Sequence, residues 1–350
     1  MNEQNIELKM CLEYFQRAED ECSFEKWVES CDFQFSLVLA EGFEERSLGI
    51  LEKLSKAQAT LERIIIGRYP RELEYNRKYR KRFEKLSASL APKRWDIVNN
   101  NNDGLWVRES INMLNTECIL LDITGISNRG LFGALDAAAL SNRKIFICYS
   151  EAGEYWPKER DWKKLKRDLY GNENLAEIVD TMPWLFGYEH KVELVPGHEG
   201  FDSAGSGKAL LAFLPFKCAR LGAILSQENY TEISFIAGLP RLEANSWRLS
   251  ALKEINEPLI KDWPVKDVST FSYRNTISVL APLLLSEKLL KTNDVHLAIL
   301  GSKLQTIGCW AVSSILKPIT AVTSVPIRYY SEAFSDSIGA SWVFRLSSPY

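Results

Sequence analysis

Residues 118–148 hold two short apolar runs, Cys118–Ile123 and Lys144–Cys148, separated by a polar turn and a stretch rich in small residues, Leu131–Leu140. Runs this short and this uniformly apolar suit strands buried on both faces, and such strands are normally parallel and covered by helices. The stretch therefore predicts a β-turn-α-β unit. Sheets of this kind bind ligands outside the carboxyl ends of their strands. That places Asp122, Thr124, Ser127, Arg129 and the run Tyr149-Ser150-Glu151 at an expected rim.

The segments before this unit extend the same pattern. Residues 5–30 read as a flanking helix, 33–39 as a strand, and the residues from about Glu44 as a helix carrying Leu48, Ile50, Leu51 and Leu54. A strand at 61–67 leads through Tyr69-Pro70-Arg71 into a basic helix over about 73–86. The asparagine-rich residues 98–105 read as a loop, and 106–115 as the helix entering the opening unit. Residues 153–200 break the pattern with a charged helix and the aromatic segment 182–187, and read as a connector.

The second half then repeats the turns of the first. Arg46-Ser47-Leu48-Gly49-Ile50-Leu51 aligns with Arg220-Leu221-Gly222-Ala223-Ile224-Leu225. Gly67-Arg68-Tyr69-Pro70-Arg71 aligns with Gly238-Leu239-Pro240-Arg241, and Leu73-Glu74-Tyr75-Asn76 with Leu242-Glu243-Ala244-Asn245. The turn from Gly125 to Gly133 aligns with Gly301 to Gly308, and Tyr149-Ser150-Glu151-Ala152 with Tyr330-Ser331-Glu332-Ala333. The matches keep one order, and each falls at a predicted strand end. They predict an α/β chain of two tandem Rossmann-like modules with mostly parallel sheets, related by internal duplication. The expected boundaries are a helical flank at 1–30, a first module at 31–157, a connector at 158–207 and a second module at 208–350. Likeness at the turns rather than the strands suggests a shared ligand task. Turn chemistry alone also constrains residue type.

Composition narrows the function. At 350 residues, 46% hydrophobic and 25% charged, the chain is an ordinary globular protein in size and content, and a net charge of -3 argues against a globally basic nucleic-acid coat. No apolar run is long enough for a membrane span and the N-terminus has no secretory character, so the expectation is a cytoplasmic protein without membrane contact. Seven cysteines form no CxxC pair, which suits reduced thiols, and three histidines give no zinc pattern. No metal or other cofactor is expected. Gly205-Ser206-Gly207-Lys208 resembles a phosphate loop, but it precedes a strand and Ala209 stands where Ser or Thr would bind magnesium.

The expected ligand contacts lie at the two rims. Arg46 and Arg220 begin matching helices, where a cation opposes the dipole and an anionic partner would offset it. Glu41, Glu44 or Asp122 could serve Arg46 instead, whereas no carboxylate lies near Arg220 in sequence. Arg71 and Arg241 follow prolines at strand ends. Ser302, Lys303 and Gln305 open a helix after a strand, where backbone N–H groups favour anions or simply receive a cap. Ser150 and Ser331 complete the set. The basic run from Arg68 to Lys85 reads first as a solvated helix face, and second as a direct nucleic-acid contact.

A tandem pair of Rossmann-like modules with polar strand-end turns, such as Asp122–Ser127 and Gly301–Gln305, resembles the CARF and SAVED sensors of prokaryotic antiviral systems over about residues 33–150 and 208–346. The resemblance implies a nucleotide or oligonucleotide ligand held in a composite pocket of two modules, a regulatory rather than catalytic role, and an effector on a separate protein chain. Two alternatives stand beside it. One is an enzyme acting on a nucleotide or its glycosidic bond through Asp122, Glu151 and Glu44. The other is an assembly subunit docking through Trp156, Trp184, Phe186 and Tyr188.

Overall fold

A computed structural model of the protein describes residues 22–31, 34–70, 77–90, 92–101, 103–171, 190–200, 206–285, 289–316, 318–326 and 334–345. Among these, the residues up to Trp156 together with those from Phe334 onward form one compact unit, and Pro157 to Pro326 form another.

The described part of the first unit starts with a short strand β1 (Cys22–Ser23) and helix α1 (Phe24–Glu29); of the helix expected over 5–30, residues 5–21 lie outside the described residues and 22–23 are strand. Strand β2 (Phe35–Ala40) leads into a 3-10 turn and helix α2 (Gly49–Lys56). Strand β3 (Leu61–Arg68), helix α3 (Arg80–Ser89), strand β4 (Arg94–Asn99) and helix α4 (Leu105–Asn112) follow. The opening unit of the sequence is β5 (Cys118–Asp122), α5 (Asn128–Ala139) and β6 (Lys144–Tyr155). The second unit holds α6 (Glu159–Gly171), β7 (His190–Leu194), β8 (Gly207–Phe213), α7 (Ala219–Leu225), β9 (Glu232–Leu239), α8 (Trp247–Ile260) and β10 (Val265–Ser269). It continues through α9 (Tyr273–Leu285), α10 (Leu289–Thr292), β11 (Asn293–Ala298), α11 (Lys303–Ile315) and β12 (Ile319–Pro326). The last strand, β13 (Ser335–Arg345), returns to the first unit.

The duplication is visible in the sheets. In the first, β4, β3, β2, β5 and β6 run side by side and parallel; in the second, β10, β9, β8, β11 and β12 do the same. Equivalent hydrogen bonds fix the correspondence. Glu41 N donates to Gly67 O at 2.9 Å and Leu214 N to Ile236 O at 2.8 Å, so Glu41 matches Leu214. Ile123 N donates to Cys148 O at 2.9 Å and Ile299 N to Val322 O at 3.0 Å, so Asp122 matches Ala298.

Each sheet adds one antiparallel strand beside the last parallel one, β1 pairs antiparallel with β13 at the edge of the first sheet, and the strands beside β6 and β12 are exchanged along the chain. The strand that follows β6 in sequence, β7, pairs with β12, whereas the strand that follows β12, β13, pairs with β6. This corrects two expected boundaries. The supposed connector contributes β7 to the second sheet, and residues 335–345, assigned by sequence to the second module, complete the first. Helix α6 also belongs to the second unit, where Trp162 and Leu165 pack against Ala251 of α8. The sequence pattern missed β4, because its residues alternate half-buried and exposed at a sheet edge rather than forming an apolar run.

Burial explains the rest. Every residue of β2 and β5 is buried. Leu37, Leu39, Ile64, Ile66 and Leu120 form one core face with Phe24, Leu48, Leu51 and Phe83 from the helices. Each such side chain contributes roughly 1.5–3 kcal/mol when fully removed from water. The small residues of α5 let it approach α4 closely; a Cβ on Gly133 would strike the Asp103 carbonyl oxygen. Among the described residues no helix is long and apolar enough to cross a membrane, and no group of three or more His, Cys, Asp or Glu is placed to hold a metal ion.

Candidate functional site

The carboxyl ends of β2, β3, β5 and β6 form the expected rim of the first module. The turns after β2 and β5 are pressed together there. A Cβ on Gly125 would run into the Ala40 carbonyl oxygen, so only glycine fits. Tyr69 locks the second turn from outside: its hydroxyl donates to Gly125 O at 3.2 Å and accepts from Ser127 N at 2.9 Å. Ser127 caps α5 by accepting from Gly130 N at 3.0 Å.

Asp122 ends β5 and is 1% exposed. Its Oδ1 accepts from Thr124 N at 2.9 Å and Thr124 Oγ1 at 2.5 Å, while Oδ2 has no partner among the described residues. Burial pushes its pKa up to about 7, against the Thr124 hydrogen bonds and the charge of Arg46. Thr124 Oγ1 also accepts from Ser150 N at 2.9 Å, and the Ser150 hydroxyl pairs with that of Ser341 on β13 at 2.7 Å. Asp122, Thr124 and Ser150 thus form one buried network with the returning strand.

Strand β6 does not stop at the rim as the sequence suggested. It leaves β5 after Cys148 and runs on to Tyr155, paired only with β13. Tyr149, Ser150 and Glu151 therefore stand in a two-stranded ribbon that rises past the strand ends. The pairing shifts register between Ile338 and Ser341, and Ser337 has a φ of +57°, features of a bulge that re-aims side chains. Arg46 packs against the ribbon. It reaches Glu44 Oε2 at 2.7 Å and the Tyr149 hydroxyl at 2.9 Å, and lies 5.7 Å from the ring centres of both Tyr149 and Tyr155. Burial works against the Arg46 charge, but Glu44 and the two tyrosines outweigh it and hold its pKa well above the ordinary value. Glu44 also accepts from Ser335 at 2.7 Å, and Glu151 accepts from Trp342 Nε1 at 2.9 Å.

A third cluster escaped the sequence reading. Glu41, 1% exposed, accepts from Arg68 Nη2 at 2.8 Å and Arg80 Nε at 3.2 Å. The sequence places Arg68 in a repeated turn and in a basic run, but not among the expected ligand contacts. Its position as the last residue of β3 was the available signal; Arg80 opens the next described helix, and no spacing rule would have joined them.

The second rim is built differently. Ser302 and Gln305 form a capping box on α11: Gln305 N donates to Ser302 Oγ at 3.2 Å and Ser302 N to Gln305 Oε1 at 2.9 Å. Gln305 Nε2 reaches Val268 O at 3.1 Å, and Ser302 Oγ reaches Thr270 O at 2.6 Å. Arg220 donates to the Ser324 carbonyl on β12 at 3.0 and 3.1 Å, just as Arg46 reaches Tyr149 on the matching β6. Arg241 lies over the Phe271 ring at 4.3 Å. Lys303 and Arg129 are half-buried near their helix starts. Arg71, Ser331, Trp184, Phe186 and Tyr188 fall outside the described residues; Trp156 donates to Asp336 at 3.1 Å.

Among the described residues of the first unit, two hollows lie away from the rim. One of about 440 Å³ is lined by Gln34, Glu62, Thr116, Cys118 and Lys144, at the amino ends of the strands. The other, about 320 Å³, lies by the last turns of α4 and α5, with Arg108, Leu140 and Arg143.

No protein-family model matches the chain, and no curated protein matches it in sequence. Among solved structures, a universal stress protein from Archaeoglobus fulgidus DSM 4304 aligns at 11% identity over 82% of this chain and 94% of that one, but its TM-score of 0.24 carries no weight. A Type III CRISPR defence DNA nuclease activated by cyclic oligoadenylate aligns at 10% identity with a TM-score of 0.51, over 82% of this chain and 64% of that one. This chain thus spans under two thirds of that nuclease, and at this identity the likeness is one of fold.

Proposed function

We propose that this protein is a nucleotide- or oligonucleotide-binding regulatory protein of a prokaryotic antiviral defence system, acting in the cytoplasm through a separate effector chain. The observation that carries the reading is the shared fold, over 82% of the chain, with a nuclease that cyclic oligoadenylate activates. The polar rim of the first module supports it, since open parallel sheets take their ligands at that end. Thermal denaturation with cyclic tri-, tetra- and hexa-adenylate, their linear forms and mononucleotides is the direct test. A ligand that binds only the folded state raises the melting point, by about 2.7 kcal/mol of stabilisation at a hundredfold excess over Kd. An unchanged melting point across the whole panel would refute the proposal.

An enzymatic reading draws support from one group: a carboxyl titrating near neutrality, like Asp122, suits acid–base chemistry. The wider geometry favours it less. Asp122 is sealed beneath Thr124, Glu44 is held by Arg46 and Ser335, and Glu151 is held by Trp342.

A further inference from the structure

The Glu41 cluster has an internal control. The second module repeats the strand order of the first, yet Leu214 occupies the place of Glu41, and in the same register Ala237 occupies the place of Arg68. The second sheet is therefore built without this carboxylate–guanidinium pair. Buried ion clusters are commonly no more stabilising than apolar side chains of similar volume, so packing alone gives no reason to keep one here.

The enclosed part of the cluster is also unbalanced. Two guanidiniums share one enclosed carboxylate. The outer partner of Arg68 is Glu84, at 3.0 Å and 42% exposed. Arg80 places its Nε on Glu41, while its Nη2 is buried and has no acceptor among the described residues. Arg80 also opens α3, a helix of 10 residues with no side-chain cap and no acidic residue in its first turn. Cations crowd a helix start where the dipole favours an anion. Both arginine side chains remain 16% exposed, held in place from below by Glu41.

We infer that Arg68 and Arg80, oriented by Glu41, form a phosphoryl-binding subsite present in the first module and absent from the second. The oxyanion replaces Glu84 on Arg68 and accepts from Arg80 Nη2, in the paired geometry that guanidinium offers phosphate. The nucleotide reading above supplies the identity of the phosphoryl group; the anion site stands on the cluster alone.

Calorimetric titration of the full chain with pyrophosphate and with cyclic tetra-adenylate, at low ionic strength, tests this. Arg80→Gln should weaken both at least tenfold. Glu84→Gln should tighten both several-fold, because no side chain need be displaced; a merely structural role for the cluster would not produce that gain. If Arg80→Gln fails to fold, the combined Glu41→Leu, Arg68→Leu and Arg80→Leu variant adopts the apolar solution of the second module. It should melt cooperatively and bind neither probe. Cyclic tetra-adenylate binding equally to wild type and Arg80→Gln would overturn the subsite while leaving the nucleotide reading intact. Pyrophosphate binding that Arg80→Gln abolishes, with no response to cyclic tetra-adenylate, would support the subsite and count against that ligand. Failure of both probes on the wild type would overturn the subsite.

Discussion

Between about pH 4 and pH 7, Asp122 holds a proton that its unfolded counterpart releases. An ordinary aspartate titrates near 3.9, whereas burial raises this one to about 7. The folded state therefore holds the proton more tightly than the unfolded state between those values. The stability this supplies is fully present below about pH 3.9 and is lost as pH rises through 7, on the order of 4 kcal/mol at roughly 1.4 kcal/mol per pH unit. Asp122→Asn cannot titrate and keeps an oxygen for Thr124. Relative to wild type, the variant should gain stability steadily from pH 4 to pH 7.5 in urea denaturation. Parallel pH profiles for the two proteins would show that the carboxyl is not held neutral. The sequence pointed to Asp122 because it ends an apolar run; nothing local revealed that Thr124 would close over it, since that depends on Ser150 in a strand 26 residues away.

The start of α11 separates capping from ligand binding. Ser302 and Gln305 satisfy each other, and Ser302 also ties the turn to Thr270. Ser302→Ala should lower stability by about 1 kcal/mol, the usual cost of losing a cap. It should leave the affinity for any oligoadenylate ligand unchanged. A large loss of affinity at unchanged stability would move Ser302 from the scaffold to the site. The two helix starts that looked alike in sequence, Ser127 and Ser302, are indeed both N-caps. Their strands differ in what precedes them: Asp122 in one sheet, Ala298 in the other. The β6–β13 ribbon lay beyond local reading altogether. Tyr149-Ser150-Glu151 looks like a strand exit until its partner, almost 200 residues later, extends the strand to Tyr155.

The chain leaves the first sheet after β6, builds the second sheet completely, and only then supplies β13 to the first. This makes an asymmetric prediction. Residues 157–330 contain every strand of the second sheet and should fold alone with a single cooperative transition. Residues 17–156 lack β13, which pairs along the whole outer part of β6, and should not fold cooperatively until 331–350 is joined to them by a linker. Independent folding of 17–156 would show that β13 is dispensable. Alternation of apolar runs and helices was enough to read two duplicated α/β modules from the amino-acid order, because buried parallel strands and N-caps are local patterns. Which antiparallel strand closes which sheet, and that Arg68 and Arg80 meet on Glu41, depended on the folded chain. Edge pairing is chosen by backbone hydrogen bonds that any side chains can accompany, and a buried carboxylate selects its partners by proximity in space rather than by spacing along the chain.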